Sequence, residues 1–245
     1  MQRIEYIMGM PILLNIIDAP DIREAADAVF AYFRAVDDRY STYKPGSEIS
    51  QINAGRPESQ WSAEMREVLA LCEQTKQQTN GYFDIARGGQ RDPSGLVKGW
   101  AIHHAAKLLL ERGITDFYID AGGDIQTHGR NSDRKPWRIG IRNPFNRDEI
   151  VKTVAVLDQG VATSGTAVRG QHIYDPFRPD TPLNAIVSLT VIGPNIYEAD
   201  RFATAAFAMG GKGIDFIDSL QGFEGYLIDR NGIATLTRDF EKFVI

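Results

Sequence analysis

The apolar pattern of this chain changes period at Asp21. Before it, Ile12, Leu13, Leu14, Ile16 and Ile17 form a run too dense for a one-sided edge, and Met8-Gly9-Met10-Pro11 divides residues 2 to 17 into two expected strands. After it, Ile22, Ala25, Ala26, Val29, Phe30 and Phe33 recur at spacings of three and four, which predicts an amphipathic helix from Asp21 to Tyr40. A chain that switches between these periods without regular βαβ alternation is constrained to the α+β class. The expectation is a largely antiparallel sheet packed by helices, as a single domain over residues 1–245.

The remaining elements follow from caps and breakers. Ser41 to Arg56 is polar and reads as a loop. A second helix fits Ser62 to Thr79, with Ser62 as N-cap and Asn80-Gly81 as its stop, and a third fits Lys98 to Arg112, closed by Gly113. Short strands are expected at Phe117-Tyr118-Ile119, Trp137 to Ile141, Thr153 to Leu157 and Ala185 to Ile192. A helix follows from about Asn195 to Met209. The C-terminal part carries a hairpin signal, Tyr226-Leu227-Ile228 and Ile233 to Leu236 around Asn231-Gly232.

Composition excludes several function classes. A formal net charge of −5, with no long basic stripe, argues against a nucleic-acid partner. No apolar run is long enough to span a membrane, and the N-terminus shows no separate hydrophobic signal region, so the expected compartment is the cytoplasm. The single cysteine, Cys72, lies in a helical apolar pattern and reads as a buried thiol. His103 and His104 are adjacent on a helix and read as packing and surface residues. The sequence has no Walker loop, dinucleotide fingerprint, nucleophile elbow or zinc-protease helix.

What remains is a set of local polar clusters. Gly122-Gly123-Asp124 after a strand is either a tight turn or a place where backbone N–H groups approach a phosphate. Lys98-Gly99, read as a helix start, offers a cation and free N–H groups to an anion, although such lysines also occur on plain surfaces. Thr163-Ser164-Gly165 and His172-Ile173-Tyr174-Asp175-Pro176 bring hydroxyls, an imidazole and a carboxylate into one short region, a kit for proton transfer. Asp200 and Thr204 are four apart on a helix. Their oxygens share a face and could hold a hard cation, or simply a solvated helix surface.

In order along the chain, these pieces resemble the ApbE family of FAD:protein FMN transferases. The matching stretches are Met8-Gly9-Met10, Ser41-Thr42-Tyr43 with Ser47 to Asn53, Gly81-Tyr82-Phe83-Asp84, Lys98-Gly99-Trp100-Ala101, Gly122-Gly123-Asp124, Thr163-Ser164-Gly165, His172 to Pro176, and Glu198-Ala199-Asp200 through Thr204-Ala205. The resemblance implies a T-fold-like architecture and an FAD substrate held by Met10, Tyr43, Phe83, Asp84, Lys98, Gly122, Gly123, Asp124, Thr163, Ser164 and His172. It implies Mg²⁺ bound by a backbone carbonyl at Ala101 with Asp200 and Thr204, and Asp200 and His172 as the catalytic pair. The implied product is FMN esterified to a Thr or Ser of an acceptor flavoprotein, with AMP leaving. An FAD hydrolase giving FMN and AMP, or a non-catalytic flavin-binding module, are the alternatives.

Overall fold

The computed structural model of the chain describes residues 1–17, 21–165 and 173–245. In chain order it begins with β1 (Gln2–Ile7) and β2 (Met10–Ile16), then α1 (Ile22–Tyr40), α2 (Glu48–Asn53) and α3 (Ala63–Gln78). A small hairpin, β3 (Ala86–Arg87) and β4 (Gln90–Arg91), precedes α4 (Ser94–Leu110), β5 (Phe117–Ala121) and β6 (Asp124–His128). Next come β7 (Trp137–Arg142), β8 (Ile150–Val156), β9 (Gly160–Gly165) and β10 (Ile186–Gly193). The last elements are α5 (Ile196–Ala208), α6 (Gly213–Asp218), β11 (Glu224–Asp229) and β12 (Ala234–Leu236).

Eight strands form one sheet in the order β1-β2-β5-β6-β9-β10-β11-β12, and each of its described strand pairs is antiparallel. The class is therefore α+β. Alternation decides which face each side chain takes: Ile12, Leu14, Ile16, Phe117 and Ile119 point to one face, where they pack with Ala26, Val29 and Phe30 of α1, Ile102 of α4 and Phe207 of α5. The opposite face is covered only in part. There the β7–β8 hairpin lays Trp137, Ile139, Ile141, Val154 and Val156 over Val161, Ile192, Tyr226 and Ile228. The outer faces of β1 and β2 lie beyond this cover, and Ile4 and Tyr6 remain 63% and 75% exposed.

Several elements differ from the sequence expectation. Residues 48–53, expected as loop, form α2: Ser47 caps it by accepting from the Ser50 N–H at 3.1 Å, and Ile49 and Ile52 turn into the core. Strand β9 and helix α6 lie where no element is expected. Helix α4 starts at Ser94, four residues before Lys98, so Lys98-Gly99 is not at its N-terminus. Pro93 sits at the cap position, where its missing N–H costs nothing, and the Asp92 Oδ1 accepts from the Ser94 N–H at 3.0 Å. Cys72 is buried in α3, and desolvation pushes its thiol up to about 12, as an inert core cysteine requires.

Candidate active site

Helices α4 and α5 pack closely where glycines line the contact. A Cβ on Gly99 would fall 2.7 Å from the Asp200 Cβ and 2.8 Å from the Ile196 carbonyl oxygen, and a Cβ on Gly95 would fall 3.2 Å from the Thr204 Cγ2. Gly95 and Gly99 stand one turn apart on α4, facing Asp200 and Thr204, one turn apart on α5. The close approach lets the Gly99 N–H donate to the Asp200 Oδ2 at 2.8 Å, and brings the Thr204 Oγ1 to 3.4 Å from the Gly95 carbonyl oxygen. We therefore expect Gly99→Ala to overpack this contact and lower stability by about 1–3 kcal/mol. Urea unfolding reads it, and an unchanged midpoint would contradict the packing.

Asp200 is 2% exposed and does not stand alone. Lys98, one residue before Gly99, places its Nζ 3.5 Å from the Asp200 Oδ1 and in an ion pair with the Oδ2 of Asp124, which is 1% exposed. The other Asp124 oxygen accepts from the Thr163 N–H at 2.9 Å, tying β6 to β9. Two buried carboxylates thus share one ammonium. Desolvation raises the Asp200 carboxyl to about 7, Lys98 pulls it down, and the neighbouring Asp124 pushes it further up. Such a site is short of positive charge by one unit whenever both carboxylates are ionised. On the far side of α5, Arg201 fixes the rotation of the helix: its Nη1 donates to the Gln78 Oε1 at 2.6 Å and the Thr75 Oγ1 at 3.2 Å, and its Nε donates to the Glu198 Oε2 at 3.0 Å.

These groups border a cleft of about 1310 Å³. Met10, Phe83, Asp84, Lys98, Gly122, Gly123, Thr163, Ser164, Asp200 and Thr204 all line it, and Asp124 joins them through its pair with Lys98. Gly122 and Gly123 are indeed the turn between β5 and β6, with φ of 64° and 100°, so the turn and the approach to the cleft are one feature. Gly122 has a second reason to be glycine, since a Cβ there would fall 3.0 Å from the Met10 sulfur. The Asp84 carboxylate is already engaged, by Lys76 at 2.8 Å and by the Ala86 N–H at 2.9 Å.

Two expected site residues are not brought to the cleft. Tyr43 is 95% exposed in the turn between α1 and α2, and Ala101 is fully buried inside α4, away from the cleft lining. His172 lies outside the described residues. The structure adds groups the sequence did not single out. Thr190 of β10 shares a 2.8 Å hydroxyl–hydroxyl bond with Thr163, its cross-strand partner. Asp120, whose Oδ1 accepts from the Gly123 N–H at 2.7 Å, has its carboxyl raised chiefly by burial. The Gly95-x-x-x-Gly99 spacing was the one available sign of the helix contact.

Among the described residues no group of three or more His, Cys, Asp or Glu side chains could hold a metal ion. A cation here would rest on a mixed set of oxygens, the Asp200 carboxylate and the Thr204 hydroxyl, next to the Gly95 carbonyl. That donor set is hard and oxygen-only, and the site lacks one positive charge, so the residues fit Mg²⁺ with the rest of its shell from water and substrate phosphate.

Comparison with known proteins decides the family. A model of the ApbE family matches residues 8–90 and 87–227. The chain belongs to the ApbE family. Among curated ApbE-like relatives, it is 29% identical over 166 residues to the FAD:protein FMN transferase of Escherichia coli K12, which is 63% of this chain and 47% of that protein. It is 30% identical over 150 residues to the protein of the same name from Klebsiella pneumoniae, 58% of this chain and 43% of that one. The matched stretches thus span less than half the length of these relatives. In fold the agreement is nearly complete: the flavin transferase ApbE from Vibrio cholerae superposes with a TM-score of 0.86 at 23% identity, covering 99% of this chain and 98% of that one. The ApbE protein of Thermotoga maritima gives 0.88 at 20% identity, with coverage of 99% and 98%. Among the described residues no helix is long and apolar enough to cross a membrane.

Proposed function

We propose that this chain transfers the FMN half of FAD onto a Thr or Ser hydroxyl of an acceptor flavoprotein, with Mg²⁺ at Asp200 and Thr204 and AMP as the leaving group. The observation that carries the reading is the buried Asp200 beside Lys98, one helical turn from Thr204, in the lining of a cleft large enough for a dinucleotide. The Escherichia coli and Klebsiella relatives are named FAD:protein FMN transferases, which supports the coarser reading of FMN transfer from FAD to a protein.

The chain's own groups suit the chemistry. In the transfer, the acceptor oxygen forms a bond to the phosphorus of the FMN half, and the bond from that phosphorus to the bridging oxygen breaks, so AMP departs with that oxygen. Little covalent help is needed; positioning and charge neutralisation carry most of the rate. Mg²⁺, when bound, supplies neutralisation of the pyrophosphate charge. Lys98 stands at the Asp200 carboxylate and adds a second cation on the same side. The first turn of α4, at Ser94 and Gly95, opens on the cleft and turns the positive end of the helix toward anions there. His172 is the expected acceptor of the hydroxyl proton.

A titration of flavin fluorescence tests the coupling between metal and substrate. Because a single protein carboxylate meets the cation, Mg²⁺ should raise the affinity for FAD by about 5- to 150-fold and leave riboflavin unaffected. FMN should bind more weakly than FAD. Equal binding of FAD and riboflavin, indifferent to Mg²⁺, would remove the pyrophosphate from the account.

A further inference from the structure

All six residues of β7, Trp137 to Arg142, line the cleft, whereas β8 contributes only Ile150. Side chains alternate along a strand, so a cavity that meets every residue of β7 meets its edge rather than one of its faces. That edge carries no partner strand among the described residues, since β7 pairs with β8 alone. The other side of the hairpin is closed: Val154 of β8 bridges Val244, and the Ile245 N–H donates to the Thr153 carbonyl at 3.1 Å. Trp137 packs edge-on against Tyr118 of β5 at 5.0 Å, so the open edge of β7 faces the part of the sheet that the hairpin leaves bare. Tyr6 and Ile4 form that floor, and Ile150, 46% exposed, stands at the rim. Such an edge, set above an apolar floor, is a template for another strand.

This rim carries three arginines. Arg138 and Arg142 project from the outward face of β7 and Arg147 follows in the next loop. All three are exposed, and none makes an ion pair among the described residues, in a chain of net charge −5. The Arg142 Nη1 donates to the Arg147 carbonyl at 2.9 Å, which holds this side chain against the loop. The cleft lining also carries the carboxylates of Asp84, Asp92, Asp120, Asp148 and Asp200.

Building on the FMN-transfer reading, we propose that an extended, acidic segment of the acceptor polypeptide docks as an added strand on the open edge of β7. Its flanking carboxylates meet Arg138, Arg142 and Arg147, and its hydroxyl is delivered along the same cleft toward Asp200. A strand of this length spans about 20 Å, so one segment can reach from the rim into the cleft.

Two fluorescein-labelled ten-residue peptides of alternating Val and Thr test it, one ending in aspartates and the other in lysines. Anisotropy should show the aspartate peptide bound by the wild-type chain and weakened at least about tenfold in the Arg138→Glu/Arg142→Glu double variant, with the lysine peptide gaining affinity for that variant. FAD affinity, followed by flavin fluorescence, should be unchanged in the double variant. Hydrogen exchange of the β7 amides should slow when the aspartate peptide is bound. No binding of the aspartate peptide at millimolar concentration, equal binding by wild type and variant, unchanged β7 exchange, or FAD affinity falling in step with the substitution would each overturn the proposal. Failure of the wild-type chain to bind FAD is a separate result and sinks the transfer reading instead.

Discussion

Asp200→Asn should reduce Mg²⁺-dependent AMP release from FAD by about 10²- to 10³-fold or more, and should at the same time raise the melting temperature of the metal-free protein at pH 8. The first effect follows from removing the carboxylate expected to meet the cation. The second follows from burial. In the folded chain the Asp200 carboxyl is raised from the ordinary 3.8 to about 7, first by desolvation, so between those pH values the folded state holds a proton that the unfolded state has released. Stability linked to this group is complete below pH 4 and is lost as the pH rises through 7. Asparagine is neutral throughout. Its advantage therefore appears above pH 7, on the order of 1–3 kcal/mol or a few degrees in a chain of this size, and vanishes near pH 4. Added Mg²⁺ should stabilise the wild type and not the variant. Thr204→Val should cost less activity, since water can replace one neutral ligand. A melting temperature that falls at pH 8 in Asp200→Asn would show that Lys98 already compensates the carboxylate fully.

Lys98→Met should be the most damaging single change to the metal-free fold. It leaves Asp124 and Asp200, 1% and 2% exposed, without the ammonium they share, and breaking a buried pair in this way typically costs about 3–5 kcal/mol. The loss should be largest at alkaline pH, where both carboxylates would ionise, and smaller at pH 5, where Asp200 holds its proton. Adding Asp124→Asn to Lys98→Met should restore part of the stability, because the second change removes a charge that the first left unpaired. Chemical denaturation of the four proteins in this cycle checks it. Additive losses would mean that Lys98 and Asp124 are not coupled, against the ion pair between them.

The elements that were legible in the sequence are those whose caps and period agree. Helices α1, α3 and α5 and the terminal hairpin fall close to their expected bounds, since Ser62 and Asn195 cap with side-chain oxygens and Gly232 supplies a positive φ of 80° in the hairpin loop. The misses have tertiary causes. Apart from Val161 and Thr163, strand β9 is built of Gly160, Ala162, Ser164 and Gly165, which lack a strand's usual bulk. Gly160 is glycine because a Cβ there would fall 2.2 Å from the Ile196 N, at the start of α5. The start of α4 was misplaced because Pro93-Ser94-Gly95 reads as a breaker, whereas Gly95 is there to admit Thr204.

At the site, the Asp200 and Thr204 pairing was legible because helical spacing alone puts two oxygens on one face. The charge triad was not: Lys98, Asp124 and Asp200 come from α4, β6 and α5, and only the sheet order brings them together. Motif position likewise located Tyr43 along the chain without fixing the direction of its side chain, which is exposed and does not line the cleft.

The central claim is tested most directly by incubating the purified chain with FAD, Mg²⁺ and a flavoprotein acceptor supplied free of its flavin, then measuring AMP by chromatography and the acceptor by intact mass. The account predicts one AMP released for each FMN added to the acceptor, an adduct that maps to a Thr or Ser, and loss of both on chelation of Mg²⁺ or in Asp200→Asn. AMP release without an adduct, or an adduct formed equally well by Asp200→Asn, would contradict it.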